Sequence, residues 1–200
     1  PQFYVPTLPV ILVNGSEGIS TGFAQKILPR NYKKLKEYIS DKLAGKNPRG
    51  DFTPYFNGFN GTVERGETPN RWLIKGTIQK IAKNKVLITE VPIGYDLKSY
   101  LKVLDSLEDD KKIVSYKDLS DNDIFKFEVS FLTKDLEALS ENEILYRLKL
   151  VKQVSENYTV LDENNKIIEF GSAKEICDYY INFKLSYVQK RKEYLIEKCN

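Results

Sequence analysis

Histidine and methionine are absent from these 200 residues, and cysteine occurs only twice. Without histidine, a Cys/His metal site fails on ligand count, and Ser-His and Cys-His nucleophilic pairs are excluded. Cys177 and Cys199 fall toward opposite ends of what reads as one helix, too far apart for a disulfide. Both read as plain thiols of a reducing compartment. No apolar run approaches the roughly 20 residues of a membrane-spanning helix, and no leader pattern opens the chain. Pro1-Gln2-Phe3-Tyr4-Val5-Pro6, with no Met anywhere, reads as the interior of a longer polypeptide. Net charge is also scarce. A formal +3 does not by itself argue for an anionic partner, so the distribution of charge must decide.

Other features are plentiful. Hydrophobic residues make up 41% and aromatics 12%, enough for a real core, and charged residues reach 30%, above the usual share of about a quarter. The length suits one large domain, or one domain with part of another. Residues 1–8 read as an extended, proline-bounded lead-in, and Val10–Val13 as a strand. Thr21–Leu28 reads as a short amphipathic or irregular connection. Asn31 is placed to cap a helix over Tyr32–Leu43, which Gly45 and Pro48 end. Residues 50–70 read as a loop with short strands. Period-two alternation predicts strands over Trp72–Ile78 and Lys85–Glu90 and again over Phe125–Phe131. Leu97–Leu107 is a helix with Tyr100, Leu101, Leu104 and Leu107 on one face. Ser140 with Glu143 forms a capping box for a helix over Ser140–Leu150. Tyr158–Leu161 and Ile167–Phe170 flank a hairpin turn, and one unbroken helix runs from Ser172 to the end. The class is α+β, with a mixed β-sheet, packed helices and a final long helix.

The most informative stretch is Pro9-Val10-Ile11-Leu12-Val13-Asn14-Gly15-Ser16-Glu17-Gly18-Ile19-Ser20-Thr21-Gly22-Phe23. Its glycines leave the backbone bare for close approach by a partner. Ile19 is an apolar side chain on a small, polar tip, a poor place for a core residue. A wedge of this kind can enter between two base pairs. The competing readings are a plain structural turn, since Asn-Gly turns are common, and a phosphate cradle. The cradle lacks the lysine that a P-loop places after its glycines.

These residues also carry a resemblance. Pro9, Asn14-Gly15-Ser16-Glu17-Gly18-Ile19-Ser20-Thr21-Gly22 and Ile27-Leu28-Pro29 resemble the type IIA DNA topoisomerases, the family of gyrase, topoisomerase IV and eukaryotic topoisomerase II. The family pattern is a proline, a hydrophobic strand, Asn-Gly-x-x-Gly-Ile-x-x-Gly and then Ile-Pro. The added Leu28 and the Tyr4 lead-in look more like the medium subunit of a tailed-bacteriophage topoisomerase than like bacterial gyrase. Ile88-Thr89-Glu90-Val91-Pro92 is similar to a later family element. The resemblance implies that Ile19 intercalates and bends a duplex. It further implies that Asn14, Gly15, Ser16, Gly18, Ser20 and Thr21 meet phosphates through hydroxyls and backbone amides, and that Lys26 and Arg30 neutralise the flanking backbone. Segments 1–31, 32–171 and 172–200 then correspond to a linking and DNA-bending strand-turn, a tower domain, and the first helix of a coiled-coil arm.

Basic residues elsewhere admit two readings each. Lys33, Lys34 and Lys36 form either a solvated helix face or an anion contact. The segment around Lys149 and Lys152 is either surface charge or, by resemblance, a phosphate-contacting stretch with Gln153, Ser155 and Asn157 as further contacts. Val151 and Val154 read as core. On the terminal helix, Lys184, Lys190, Arg191, Lys192 and Lys198 interleave with Tyr180, Phe183, Tyr187, Tyr194 and Leu195, which suits a partner-seeking amphipathic helix or nucleic acid.

Thirteen tyrosines make no single one informative. The family's nucleophile follows an arginine in a winged-helix module that precedes this region. Tyr4 and Tyr146 lack that context, so the piece alone is expected to be inactive. Asp109-Asp110 and Asp121-Asn122-Asp123 read as solvated turns. No cofactor is expected on this segment. Mg2+ and ATP are implied for the complete enzyme, held by other subunits or modules. The implied partners are double-stranded DNA, those modules, and a second copy through the coiled-coil arm, with no membrane. The implied location is the cytoplasm of a phage-infected cell, or the nucleoid. A stand-alone α+β nucleic-acid-binding module and a protein-interaction domain are the alternatives.

Overall fold

The computed structural model describes residues 4–121 and 124–199; Pro1–Phe3 of the lead-in, Asn122 and Asp123 of the acidic turn, and Asn200 lie outside the described residues. In chain order the elements begin with α1 (Val10–Asn14), β1 (Ser16–Ser20), β2 (Phe23–Ile27) and α2 (Tyr32–Leu43). There follow β3 (Thr62–Arg65), β4 (Arg71–Lys75), β5 (Thr77–Ala82), β6 (Lys85–Glu90), α3 (Leu97–Asp109), β7 (Ser115–Asp118) and β8 (Phe127–Ser130). The last are α4 (Thr133–Ala138), α5 (Glu141–Arg147), β9 (Val151–Ser155), β10 (Thr159–Leu161), β11 (Ile167–Glu169) and α6 (Ala173–Cys199). Contacts divide the chain into two units, Pro1–Phe56 with Ser155–Asn200, and Asn57–Val154.

The first unit has its own core of Leu12, Ile27, Leu35, Tyr38, Tyr158, Ala173, Ile176, Cys177 and Ile181. The capping prediction holds: the Asn31 side chain accepts from the amides of Lys33 and Lys34, and α2 spans the predicted residues. Its face holding Leu35 and Tyr38 packs inward, and the Tyr38 hydroxyl donates to Asp178 of α6 at 2.6 Å. The β10–β11 hairpin is antiparallel, as its turn residues suggest.

Two readings of this unit need correction. Val10–Val13 is not a strand. The Pro9 carbonyl accepts the amides of Leu12 and Val13 at 2.9 and 3.1 Å, which closes the short helix α1. A short apolar run does not reveal its own period. Here burial of Leu12 and the bond from the Arg30 amide to the Leu12 carbonyl, 2.7 Å, fix the turn. Thr21–Leu28 is not an irregular connection either, because it contains β2. This strand pairs with β1 on one side and with Asn157 on the other, so long-range hydrogen bonds supply what its weak alternation does not.

The second unit is built on the four-stranded sheet β5-β6-β8-β7, and β3, β4 and β9 form a three-stranded sheet. Val86, Ile88, Phe127 and Val129 point from the larger sheet onto Tyr100, Leu104 and Leu107 of α3. The Tyr100 hydroxyl donates to the Leu148 carbonyl at 3.0 Å, and burial drives its pKa far above the tyrosine norm. The predicted capping box of α5 is formed, with the Ser140 hydroxyl and the Glu143 side chain serving each other's amides. The expected strand Trp72–Ile78 is cut in two at Gly76. A Cβ there would lie 2.3 Å from the Glu90 carbonyl oxygen, and its amide bonds to Leu150 instead of continuing a ladder. The helix expected over Ser140–Leu150 ends at Arg147, and α4 and β9 are additional elements. Val151 and Val154 are half-buried rather than fully enclosed.

Candidate nucleic-acid interface

β1 and β2 form an antiparallel hairpin with Ser16 opposite Ile27, Gly18 opposite Gln25, Ile19 opposite Ala24 and Ser20 opposite Phe23. Thr21 and Gly22 make the turn, and Gly22 sits at φ 85° in the left-handed region that favours glycine. Because side chains alternate, Glu17 and Ile19 share one face with Lys26 and Ala24, and Ile27 on the other face is buried. Ile19 therefore stands beside the tip with 89% of its surface exposed. Phe23 is exposed on the opposite face.

Gly15 and Gly18 are glycine for different reasons. Gly15 has φ 73°, and a Cβ there would lie 2.7 Å from the Ile27 carbonyl, so the fold requires it. Gly18 has ordinary backbone angles, and an added Cβ would meet nothing within 4 Å. No internal packing demands its bareness, which leaves open space against the strand next to Ile19.

The hairpin is anchored at its root. The Glu156 carboxylate accepts from the Leu28 amide at 2.7 Å, from both terminal nitrogens of Arg30 at 2.9 and 2.7 Å, and from the Tyr158 hydroxyl at 2.7 Å. Arg30 and Glu156 side chains are 1% and 0% exposed. Burial, followed by the bond to Glu156, raises the Tyr158 pKa well above the ordinary range. Gln25 adds a further tie, donating to the Thr159 carbonyl at 2.9 Å while accepting from the Ser16 hydroxyl at 2.6 Å. Arg30 is thus a correction: its guanidinium is committed inside the protein and is not offered to a phosphate. Sequence reasoning missed Glu156, Tyr158 and Gln25 as anchors. The one available signal was a charge at position 30 directly after the apolar Ile27-Leu28-Pro29.

The other predicted residues distribute as follows. Asn14 is exposed at the end of α1, and Thr21 is exposed in the turn. Lys26 pairs with Glu17 at 2.7 Å at the surface. An exposed pair of this kind is worth little, on the order of 0–1 kcal/mol, so Glu17 holds Lys26 only weakly. The side chain of Ser20 lies outside the described part of the molecule. Asn157 is brought beside the hairpin by two backbone bonds with Lys26, 3.0 and 2.9 Å, and Ser155 is exposed on the same strand segment. Lys149, Lys152 and Gln153 are exposed on the second unit, where the Lys152 ammonium donates to the Ile93 carbonyl at 3.2 Å.

Tyr4 and Tyr146 are both exposed, and Cys177 is a buried free thiol pushed up to about 12 by burial. Among the described residues no three His, Cys, Asp or Glu side chains converge to hold a metal ion. Asp110 is turned to Lys112 at 3.2 Å. Among the described residues no helix is long and apolar enough to cross a membrane.

The A-subunit family of DNA gyrase and topoisomerase IV matches residues 1–200. The chain belongs to that family. It is 32% identical over 201 residues to the DNA topoisomerase medium subunit of Enterobacteria phage T4, covering 96% of this chain and 43% of that one. It is 33% identical over 205 residues to DNA topoisomerase 2 of Saccharomyces cerevisiae, covering 99% of this chain and 14% of the relative. A crystal structure of the Plasmodium falciparum topoisomerase II DNA-binding, cleavage and re-ligation domain superposes with a TM-score of 0.88 at 30% identity, over 99% of this chain and 27% of that one. The chain therefore spans less than half of each of these relatives' length.

Proposed function

We propose that this chain is the DNA-binding and DNA-bending part of the breakage-rejoining subunit of an ATP-dependent type II DNA topoisomerase. The observation that carries the reading is Ile19, nearly fully exposed beside the tip of a hairpin whose root is fixed by a buried ion pair. Exposing a large aliphatic side chain on a rigid support forgoes on the order of 1.5–3 kcal/mol of burial. Insertion between stacked bases recovers that burial. Unstacking costs a few kcal/mol and is offset by the added contact that bent DNA allows. The bare backbone at Gly18 admits the duplex. Asn14, Ser20, Thr21, Lys26, Ser155 and Asn157 supply phosphate contacts on the first unit, Ser16 being held by Gln25, and Lys149, Lys152 and Gln153 supply them on the second. None of these reads a base, so binding favours deformable steps over a fixed sequence.

In this reading residues 1–31 deliver the wedge, 32–171 support the duplex as a tower, and 172–200 begin a coiled-coil arm through which two copies pair. Beyond Ile181, α6 presents Leu185, Val188, Leu195 and Ile196 to solvent at spacings suited to a second helix. The nucleophilic tyrosine, the Mg2+-binding acids and the ATPase belong to other modules or subunits, so the chain alone is inactive. Its setting is the cytoplasm of a phage-infected cell, or the nucleoid. In the assembled enzyme, Ile19→Ala should reduce gate-duplex bending, read as end-to-end energy transfer, and lower cleavage at least tenfold with the fold intact. Unchanged bending by that variant removes the reading.

A further inference from the structure

Two helices of the second unit end on lysine where a helix stop favours glycine. After α3, the Lys111 amide donates to the Glu108 carbonyl at 2.9 Å and the Lys112 amide to Leu107 at 2.9 Å. After α5, the Lys149 amide donates to Tyr146 at 3.1 Å and the Leu150 amide to Leu145 at 2.8 Å. Both are the paired-bond helix stop whose key residue lies in left-handed backbone. That residue is Lys111 at φ 57° in one case and Lys149 at φ 56° in the other. A side chain with a Cβ is strained there, and glycine is not. At α5, complementing the helix dipole does not require this strain, since Arg147 already does so from its last turn.

The two strained lysines, far apart in sequence, line one open cleft of about 390 Å3 together with Lys112, Tyr146 and Arg147. Of the nearby carboxylates, Asp110 engages Lys112 at the surface, and Glu143, its pKa held low chiefly by its bond to Ser140, also feels the Arg147 charge. We propose that this cleft grips backbone phosphates of duplex DNA, with Lys111, Arg147 and Lys149 as the cations and the exposed Tyr146 hydroxyl as a further donor. The ammonium and guanidinium groups make charge-assisted hydrogen bonds to phosphate oxygens, which hold a duplex in place without reading its sequence. The proposal rests on the DNA reading above and extends it to the ends of α3 and α5.

The test is the double variant Lys111→Gly/Lys149→Gly in the full chain, beside Lys111→Gln/Lys149→Gln, which keeps the side-chain stems. Thermal melting and duplex binding across a salt series are measured for both. The glycine pair should melt at a higher temperature than the parent, because the left-handed strain is relieved. It should bind DNA several-fold more weakly, with the slope of log K against log salt shallower by roughly two. The glutamine pair should show the same change in slope. Affinity and slope unchanged in both pairs overturn the cleft. If bending is then still lost in Ile19→Ala, the DNA reading survives without the cleft; if no variant changes DNA behaviour, both fall.

Discussion

Gly15 and Gly18 sit three positions apart in one turn-and-strand segment, and their roles separate cleanly. At Gly15 the backbone is left-handed and a Cβ would press on the Ile27 carbonyl at 2.7 Å. Gly15→Ala should therefore cost on the order of 1–3 kcal/mol of stability. At Gly18 the space is open and the backbone ordinary. Gly18→Ala should leave the urea midpoint unchanged or slightly raised, since alanine restricts the unfolded chain. Urea denaturation of the two variants makes the comparison. Equal effects of Gly18→Ala and Gly15→Ala on stability would refute the separation. The exposure of Ile19 and Gly18 was legible in the sequence because an apolar residue among glycines and hydroxyls is conspicuous. Arg30 misled, because a cation looks the same in sequence whether it faces solvent or a buried carboxylate.

In the proposed role the hairpin acts as a lever, which requires a stiff root. Four groups converge on the Glu156 carboxylate from the Leu28, Arg30 and Tyr158 positions. Removing one charge of a buried pair leaves the other uncompensated, at a cost of about 3–5 kcal/mol. Glu156→Gln should thus lower the stability of the first unit by about that amount. Arg30→Met with Glu156→Leu should recover much of it, because apolar replacement of a whole pair is often neutral. Chemical denaturation of the three proteins checks the order, and a double variant worse than Glu156→Gln would contradict it. At this same scale the caps were readable. Asn31 and the Ser140–Glu143 box act through bonds within three residues, so local sequence carries the information. β2 and α1 were not readable, since their conformations are set by Asn157 and Arg30, distant in sequence.

Across the molecule, stability should fall at the alkaline end. Tyr38 is pushed up to about 12, chiefly by burial and then by its bond to Asp178. Tyr116 is pushed up to about 12, chiefly by its bond to Asp105, and Tyr179 to about 12 by its bond to Glu163. Below pH 10 these tyrosines are protonated in both folded and unfolded chains, and their stabilising bonds are fully present. Between pH 10 and about 12 the unfolded chain releases protons that the folded chain retains, so stability declines with rising pH. Tyr38 and Tyr179 lie in the first unit and Tyr116 in the second, so both units should weaken together. Denaturation midpoints measured through this window, alongside tyrosinate absorbance, should show the decline. A midpoint that stays flat to pH 12 would contradict it.

The amino-acid sequence alone determined the α+β class, the caps, the amphipathic faces of α2 and α3, the long final helix and the exposed isoleucine at position 19. Each depends on residue type, or on a period shorter than one helix turn or strand. Tertiary structure decided which apolar run became a helix, where a strand broke to join two sheets at Gly76, and that Arg30 serves the hairpin root instead of a phosphate. It also brought Lys111 and Lys149 into one cleft. These outcomes turn on burial and on hydrogen bonds between residues remote in the chain, and only the packed structure fixes which distant groups remove one another from water.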